Sequence, residues 1–386
     1  MCAEAPIILR GMVNVTRRRF LWAAAATPAL AQSKLDLSEF QPRTMLVTRQ
    51  TPVTRARFPV IDVHTHVVGF PRRRMIPPEQ LARILRWMDA LNIETMVVLT
   101  GGAGEELRRN IAELQQKHKN RLRVATEPSY ERIREPGYPA WQADELKRAR
   151  EAGACGLKVL KYLGLGLREQ ITTGPLVKID DPRFDPMWEA AGALKMPVFI
   201  HTSDPDAFFT PIDRLNERWE ELARHPEWSF YDKDFPPKAE LLAARNRVIA
   251  RHPRMQFVCL HVANHPENLN EVSSWLDQYP NMNVEIGARI GELGRQPRAA
   301  RQFFEKYQDR ILFGTDATPN GTEVPQQDLK PEMYRIYFRF LETLDEYFDY
   351  SPAPVPPQGR WKIYGLGLPE PILRKVYRDN ARRLLG

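Results

Sequence analysis

Residues 60–68 read VIDVHTHVV, two histidines one residue apart inside an apolar run with the pattern of a β-strand. Side chains alternate between the faces of a strand, which predicts Asp62, His64 and His66 on one side and Ile61, Val63 and Val67 on the other. Three polar groups on one face of a buried strand need partners, since a buried imidazole or carboxylate without one is costly. A divalent metal is one such partner, because two neutral imidazoles at a strand end form a chelate. The pair does not decide the matter alone; the rest of the chain must supply the remaining ligands.

The chain has 386 residues, enough for one large domain or two average ones, and 43% of them are hydrophobic, an ordinary value for a globular protein. TRRRFL at 16–21 precedes the apolar WAAAATPALA, which ends in Ala29-Leu30-Ala31, a small-x-small cleavage pattern. Arg17 and Arg18 followed by Phe20 and Leu21 resemble a twin-arginine export signal. The expectation is a signal over 1–31, a linker over 32–59 and a periplasmic or otherwise exported protein over 60–386. No apolar run in the remainder is long enough to span a membrane.

The net charge of +8 falls to +5 once the four arginines and one glutamate of residues 1–31 are set aside. Basic residues are scattered among acidic ones, which speaks against nucleic-acid binding. PRRRM at 71–75 reads as a solvated loop, with anion attraction as the alternative. Cys155 and Cys259 lie in apolar runs and are expected to stay unpaired. The partner expected is a small molecule; oligomeric state is left open.

Beyond residue 59, short apolar runs alternate with amphipathic stretches. Strands are expected at 60–67, 95–100, 122–127, 154–160, 197–202, 256–262, 282–287 and 310–315. PEQLARILRWMDALN (78–92), EELRRNIAELQQKHKN (105–120) and AELLAARNRVIARHP (239–253) read as helices between them. Eight strand and helix units predict an α/β fold, a TIM-like (β/α)8 barrel, rather than an open sheet. His118, His225 and His252 fall at helix ends, where solvent is the expected surrounding. The other five histidines end strands: His64 and His66 strand one, His201 strand five, His261 and His265 strand six. Asp316 ends strand eight. In a barrel of this kind all strand C-termini open on one face, so these residues are expected at one mouth.

DVHTH, IHTSDP, LHVANHPENL, FGTDATP and the closing VYRDNARRLLG together resemble the amidohydrolase superfamily, in its amidohydrolase family 2 branch. The resemblance covers nearly all of the chain after the signal. It implies a metal-dependent hydrolase or a metal-dependent decarboxylase that uses no oxidant, both running on one ligand set, with His64, His66 and His201 as nitrogen ligands and Asp316 as the carboxylate ligand. Zinc is the first choice, with manganese or iron also compatible, and one ion is expected rather than two. Asp316 would take a proton from activated water, and His261 would act as a second acid/base; its alternative is ligation of a second metal.

Lys158 in GLKVLKY is flanked by helix-facing Leu157 and Val159, so it is expected to point into the barrel. Some superfamily members carboxylate a lysine here to bridge two metals; contact with substrate or with the ligands is the reading preferred for Lys158. Asp62 is expected to face the barrel and support the histidines. The insertion after strand five, 205–237, is rich in aromatics, and Phe208, Trp219, Trp228 and Tyr231 are candidates to line a pocket. Arg289, sharing a strand-seven face with Glu285 and Gly287, could grip a substrate carboxylate or pair with Glu285 or Glu292. Residues 317–386, including the proline-rich 351–371, read as a C-terminal wrap. Hydrolysis of a C–O or C–N bond is the leading expectation. A non-oxidative decarboxylase of an aromatic or unsaturated acid is the alternative, and a non-enzymatic binding protein the second.

Overall fold

Strands β1 (Val60–Thr65), β2 (Ile93–Val98), β3 (Leu122–Val124), β4 (Leu157–Val159), β5 (Val198–Ile200), β6 (Phe257–Cys259), β7 (Met282–Glu285) and β8 (Ile311–Leu312) run parallel. They are seen in a computed structural model that describes residues 35–36, 39–68, 75–119, 121–319, 324–353 and 355–386. The export signal and residues 71–74 of the basic run lie outside these. Residues 46–386 form one compact unit.

Regular pairing joins β1 to β3 and β4 to β8 as two sheets. Two seams close them into a barrel. Lys158 N–H donates to Thr126 O at 2.7 Å, and Val63 N–H donates to Phe313 O at 3.0 Å, with His66 N–H to Ala317 O at 2.7 Å beyond it. The eight strands fall near where the alternation predicts; β2 starts two residues earlier than expected at the same length, and the other seven are shorter, since several predicted strand ends are already loop at the mouth.

The helix Pro78–Leu91 shows why the crossovers form. Proline at its start presets φ, and Ile84, Met88 and Leu91 recur at helical spacing to bury one face. It stops at Asn92, in the left-handed region at φ 66, whose N–H reaches back to Met88 and Asp89 carbonyls. Tyr138–Ala152, Lys238–Arg251, Leu269–Gln278 and Pro297–Lys306 fill the same role around the ring. Two apolar layers result. Ile61, Val63, Val97, Phe199, Val258 and Leu312 meet inside the barrel, with Ala381 and Leu385 of the terminal helix Asn380–Leu385 against them. A larger layer lies between strands and helices.

The layers correct the expectation for Asp62. Pairing of β1 with β2 shifts register between Val60 and Ile61 and again between Asp62 and Thr65. Ile61 and Val63 therefore face the barrel interior, while Asp62 points outward and accepts from Tyr334 OH at 2.8 Å and Thr315 Oγ1 at 2.5 Å. Its support for the histidines is limited to the backbone, through His64 N–H at 3.1 Å. Burial raises its carboxyl to about 6. His252, expected in solvent, is buried with Nε2 3.3 Å from Asp185. Cys155 and Cys259 are buried and unpaired, as expected.

Candidate metal and active site

The strand ends bring His64, His66 and Asp316 together. Asp316 Oδ1 lies 3.0 Å from His64 Nε2 and 2.8 Å from His66 Nε2. The second oxygen of Asp316 accepts from Gln327, which arrives from the segment after β8. Asp316 is itself left-handed, at φ 62, a conformation open to aspartate but uncommon for it. Burial opposes ionisation of its carboxyl, but His64 and the bonds to both imidazoles hold it well below the usual range.

His64 lies between two carboxylates. Its Nδ1 is 3.1 Å from Glu285 Oε1, at the end of β7, while Nε2 faces Asp316. Burial works against charging this ring, but Asp316 and Glu285 outweigh it and raise its pKa. Burial depresses His66 and takes His201 down to about 4. Lys158 points inward as expected: its Nζ sits 3.5 Å from His64 Nε2, and burial brings it down to about 8 against the pull of Asp316 and Glu285.

His261 follows β6 in an unusual turn. His261, Val262, Ala263 and Asn264 all have φ between 53 and 57, a left-handed turn of non-glycine residues. Such conformations cost roughly 1–3 kcal/mol each and persist where surroundings enforce them. Asn264 does so here, accepting from Thr202 N–H at 2.9 Å and donating to Ser203 O at 2.6 Å. The buried Arg245 caps Ala263 O at 2.5 Å. His261 Nδ1 consequently donates to Gly287 O at 2.7 Å, and its buried Nε2, with no hydrogen-bond partner, lies 4.0 Å from Asp316 Oδ2. Burial, with Arg289 nearby, keeps the ring neutral, its pKa well below the ordinary value.

The turn also carries His265 out of the mouth, contrary to expectation. It pairs with Glu271 at 3.1 Å, beside Asp206 and Glu267. That trio could hold a cation by its donors alone, but Lys238 Nζ already sits 2.5 Å from Asp206. His201 reaches the mouth, its ring centroid 4.4 Å from that of His261, but Nε2 donates to Ser203 O at 3.0 Å. Glu285 is the member that sequence reading missed, taken there for a partner of Arg289. A glutamate two residues before a glycine on strand seven was the available signal.

The cluster opens into a cavity of about 720 Å³, lined by His66, Lys158, His201, His261, Arg289 and Asp316 and roofed by the insertion. Phe208 and Trp228 line it as expected, joined by Phe230 and Phe235, whereas Trp219 and Tyr231 are exposed. Arg289 is buried against it. Its Nη1 donates to Ala288 O at 2.7 Å and its Nε has no hydrogen-bond partner. It forms no ion pair with Glu285, held by His64 and backbone, or with Glu292, which pairs with Arg218.

Two imidazole nitrogens and a carboxylate oxygen all within 4.8 Å of one another, with the orphaned Nε2 of His261 facing them, fit a divalent ion. A cation there would replace imidazole–carboxylate contacts that only a proton can otherwise bridge.

A model of the family described as Amidohydrolase matches residues 61–386. No curated protein matches the chain by sequence. Among solved structures, 2,6-dihydroxybenzoate decarboxylase from Rhizobium superimposes with a TM-score of 0.52 at 17% identity, over 85% of this chain and 98% of its own. Dihydroxybenzoic acid decarboxylase from Polaromonas sp. JS666, with bound manganese and the inhibitor 2-nitroresorcinol, gives 0.50 at 16%, over 85% and 97%. A putative amidohydrolase from Staphylococcus aureus gives 0.50 at 14%, over 85% and 100%. At these identities the likeness establishes the barrel fold.

Proposed function

Because the chain belongs to the amidohydrolase family, we propose that its mouth serves a metal-dependent, non-oxidative decarboxylation of an aromatic or unsaturated carboxylic acid. Arg289 carries this reading: a buried guanidinium on the cavity wall, without a carboxylate partner among the described residues, beside the cluster of His64, His66 and Asp316. Hydrolysis of a neutral ester or amide has no use for that cation. The names of two structures of the same fold, both dihydroxybenzoate decarboxylases, add support.

His64, His66 and Asp316 would hold the ion, zinc by preference and manganese or iron as alternatives, one ion rather than two. When bound, it supplies a Lewis acid that stabilises negative charge gathering on the substrate. Arg289 grips the carboxylate through charge-assisted hydrogen bonds and sets its angle. Lys158 adds positive charge where an oxygen substituent of the ring would lie. Asp316, held ionised, takes a proton from a substrate hydroxyl or a water and returns it to the carbon, with His261 Nε2 in reach as second acid/base. The bond to the carboxylate carbon breaks, its electron pair passes into the unsaturated system, a C–H bond forms there, and neutral CO2 leaves. Phe208, Phe230 and Phe235 give that neutral product an apolar wall.

Hydrolysis stands as the second reading, favoured by His261, whose neutral Nε2 needs only a water to act as base. The test is a screen of zinc- and manganese-loaded protein on aromatic acids, lactones, esters and amides, with CO2 as the readout. Turnover of an acid with CO2 release, lowered about tenfold to a hundredfold in kcat/KM by Arg289→Met, is the expected result. Turnover confined to lactones, esters or amides would overturn it. Export through the signal at 1–31 is likewise proposed; replacing Arg17 and Arg18 by lysine should leave uncleaved protein in the cytoplasm, and continued export would refute it.

A further inference from the structure

Glu285 is wholly buried, yet no lysine or arginine forms an ion pair with it among the described residues. Its carboxylate instead collects three N–H donors: His64 Nδ1 at 3.1 Å, the backbone of His261 at 2.6 Å and the backbone of Gly287 at 2.5 Å. The barrel makes room for it with two glycines. A Cβ on Gly287 would come within 2.6 Å of Glu285 Oε2, and one on Gly314 would come closer still. A carboxylate so placed, with N–H groups filling its hydrogen-bonding positions, orients those donors.

A carboxylate is an acceptor only, so the ring nitrogen facing it must carry a proton. His64 thus keeps its proton on Nδ1; Nε2, 3.0 Å from Asp316, faces a carboxylate as well and offers its lone pair once a cation displaces the proton between them. His261 is set by the same group through two steps. Glu285 holds its backbone N–H, and holds Gly287, whose carbonyl accepts from His261 Nδ1 at 2.7 Å. The Nε2 of His261 is left bare in the buried site. We infer that Glu285 is a positioning residue that holds the proton of both His64 and His261 on Nδ1, so that Nε2 of His64 is the atom a divalent ion takes and Nε2 of His261 stays bare beside it as acid/base. This rests on the metal-centre part of the proposed function and is independent of the reaction catalysed there.

The test begins with metal-free protein labelled with 15N at histidine, the His64 and His261 signals assigned from their absence in His64→Asn and His261→Asn. Both rings should keep the Nδ1 proton. An Nδ1 without its proton in either ring of the unaltered protein would overturn the inference, and this reading needs no Glu285 variant to fold. Glu285→Gln presents one acceptor and one donor to three N–H groups, so an amide N–H faces Nδ1 of His64 or a backbone N–H. Where the amide N–H meets His64 the Nδ1 proton should be lost, and in either orientation zinc affinity by titration should fall about tenfold to a hundredfold, as for other partners of metal-bound histidines. Unchanged zinc affinity in folded Glu285→Gln would also overturn it. Unaltered protein that takes up neither zinc nor manganese would refute the metal centre instead, while the tautomer spectrum still decides the role of Glu285.

Discussion

At the scale of single residues, Asp316 is where the proposed ligation can be tested apart from the proposed chemistry. One oxygen meets His64 and His66, and the other is held by Gln327. Asn keeps the size and one oxygen but cannot take a proton, so Asp316→Asn should retain much of its metal while turnover falls about a hundredfold to ten-thousandfold. Metal stoichiometry and turnover measured on the same sample check this; equal losses would make Asp316 a ligand only. His201 gives a pH signature. Burial holds it near 4 against 6.5 in the unfolded chain, so between those values the unfolded state binds the proton first. Its contribution to stability is present above 6.5 and is lost as pH falls toward about 4; His66 and His261, also depressed, add in the same sense, while the raised His64 opposes. Metal-free protein should melt lower as pH drops through this window, less steeply in His201→Asn. An unchanged slope would mean that His201 ionises freely. The HxH spacing and the aspartate after strand eight were legible because each sits at the end of its own apolar run. Asp62 was not, because its side is set by two register shifts against β2, and nothing in its own strand records them.

Among elements, the turn after β6 shows the limit of local pattern most plainly. LHVANHP reads as the end of a strand, and alternation would send His261 and His265 into one mouth. Instead four successive residues turn left-handed, held by contacts to the segment after β5 and to the helix Lys238–Arg251, so that only His261 stays. Helices were easier to read, since the spacing of Ile84, Met88 and Leu91 and the stop at Asn92 lie within one segment. Asn264 measures what the turn costs. Asn264→Gly keeps the left-handed conformation but loses the bonds to Thr202 and Ser203, and should destabilise by about 1–3 kcal/mol. Asn264→Ala loses the same bonds and adds about 1–2 kcal/mol for forcing alanine into φ 57. Denaturant unfolding of both variants reads the difference, and equal values would show the turn relaxing once Asn264 is gone.

For the molecule as a whole, the insertion 205–237 must be held across the barrel mouth for the cavity to exist. Its aromatics were visible in the sequence, but not which would face inward, because that depends on how the segment is fastened. The fastening is ionic. Arg218 pairs with Glu221 at 2.7 Å and with Glu292 from the helix Ile290–Arg295; Arg295 of that helix grips Glu217 at 2.7 Å; Arg360 of the C-terminal wrap reaches Glu220 at 2.7 Å. These pairs are not equivalent. Arg218 and Glu292 are both 1% exposed at the side chain, whereas Glu217 is 46% exposed, so water screens one and not the other. Removing one partner of a buried pair costs roughly 3–5 kcal/mol, against roughly 0–1 kcal/mol at the surface. Glu221 still faces Arg218, which places Glu292→Gln at the lower end of the first range. Glu292→Gln should therefore destabilise the protein by about 3 kcal/mol and expose 205–237 to limited proteolysis, and Glu217→Gln should do neither. Equal proteolysis of the two variants would mean that aromatic packing, rather than the buried guanidinium, holds the roof over the site.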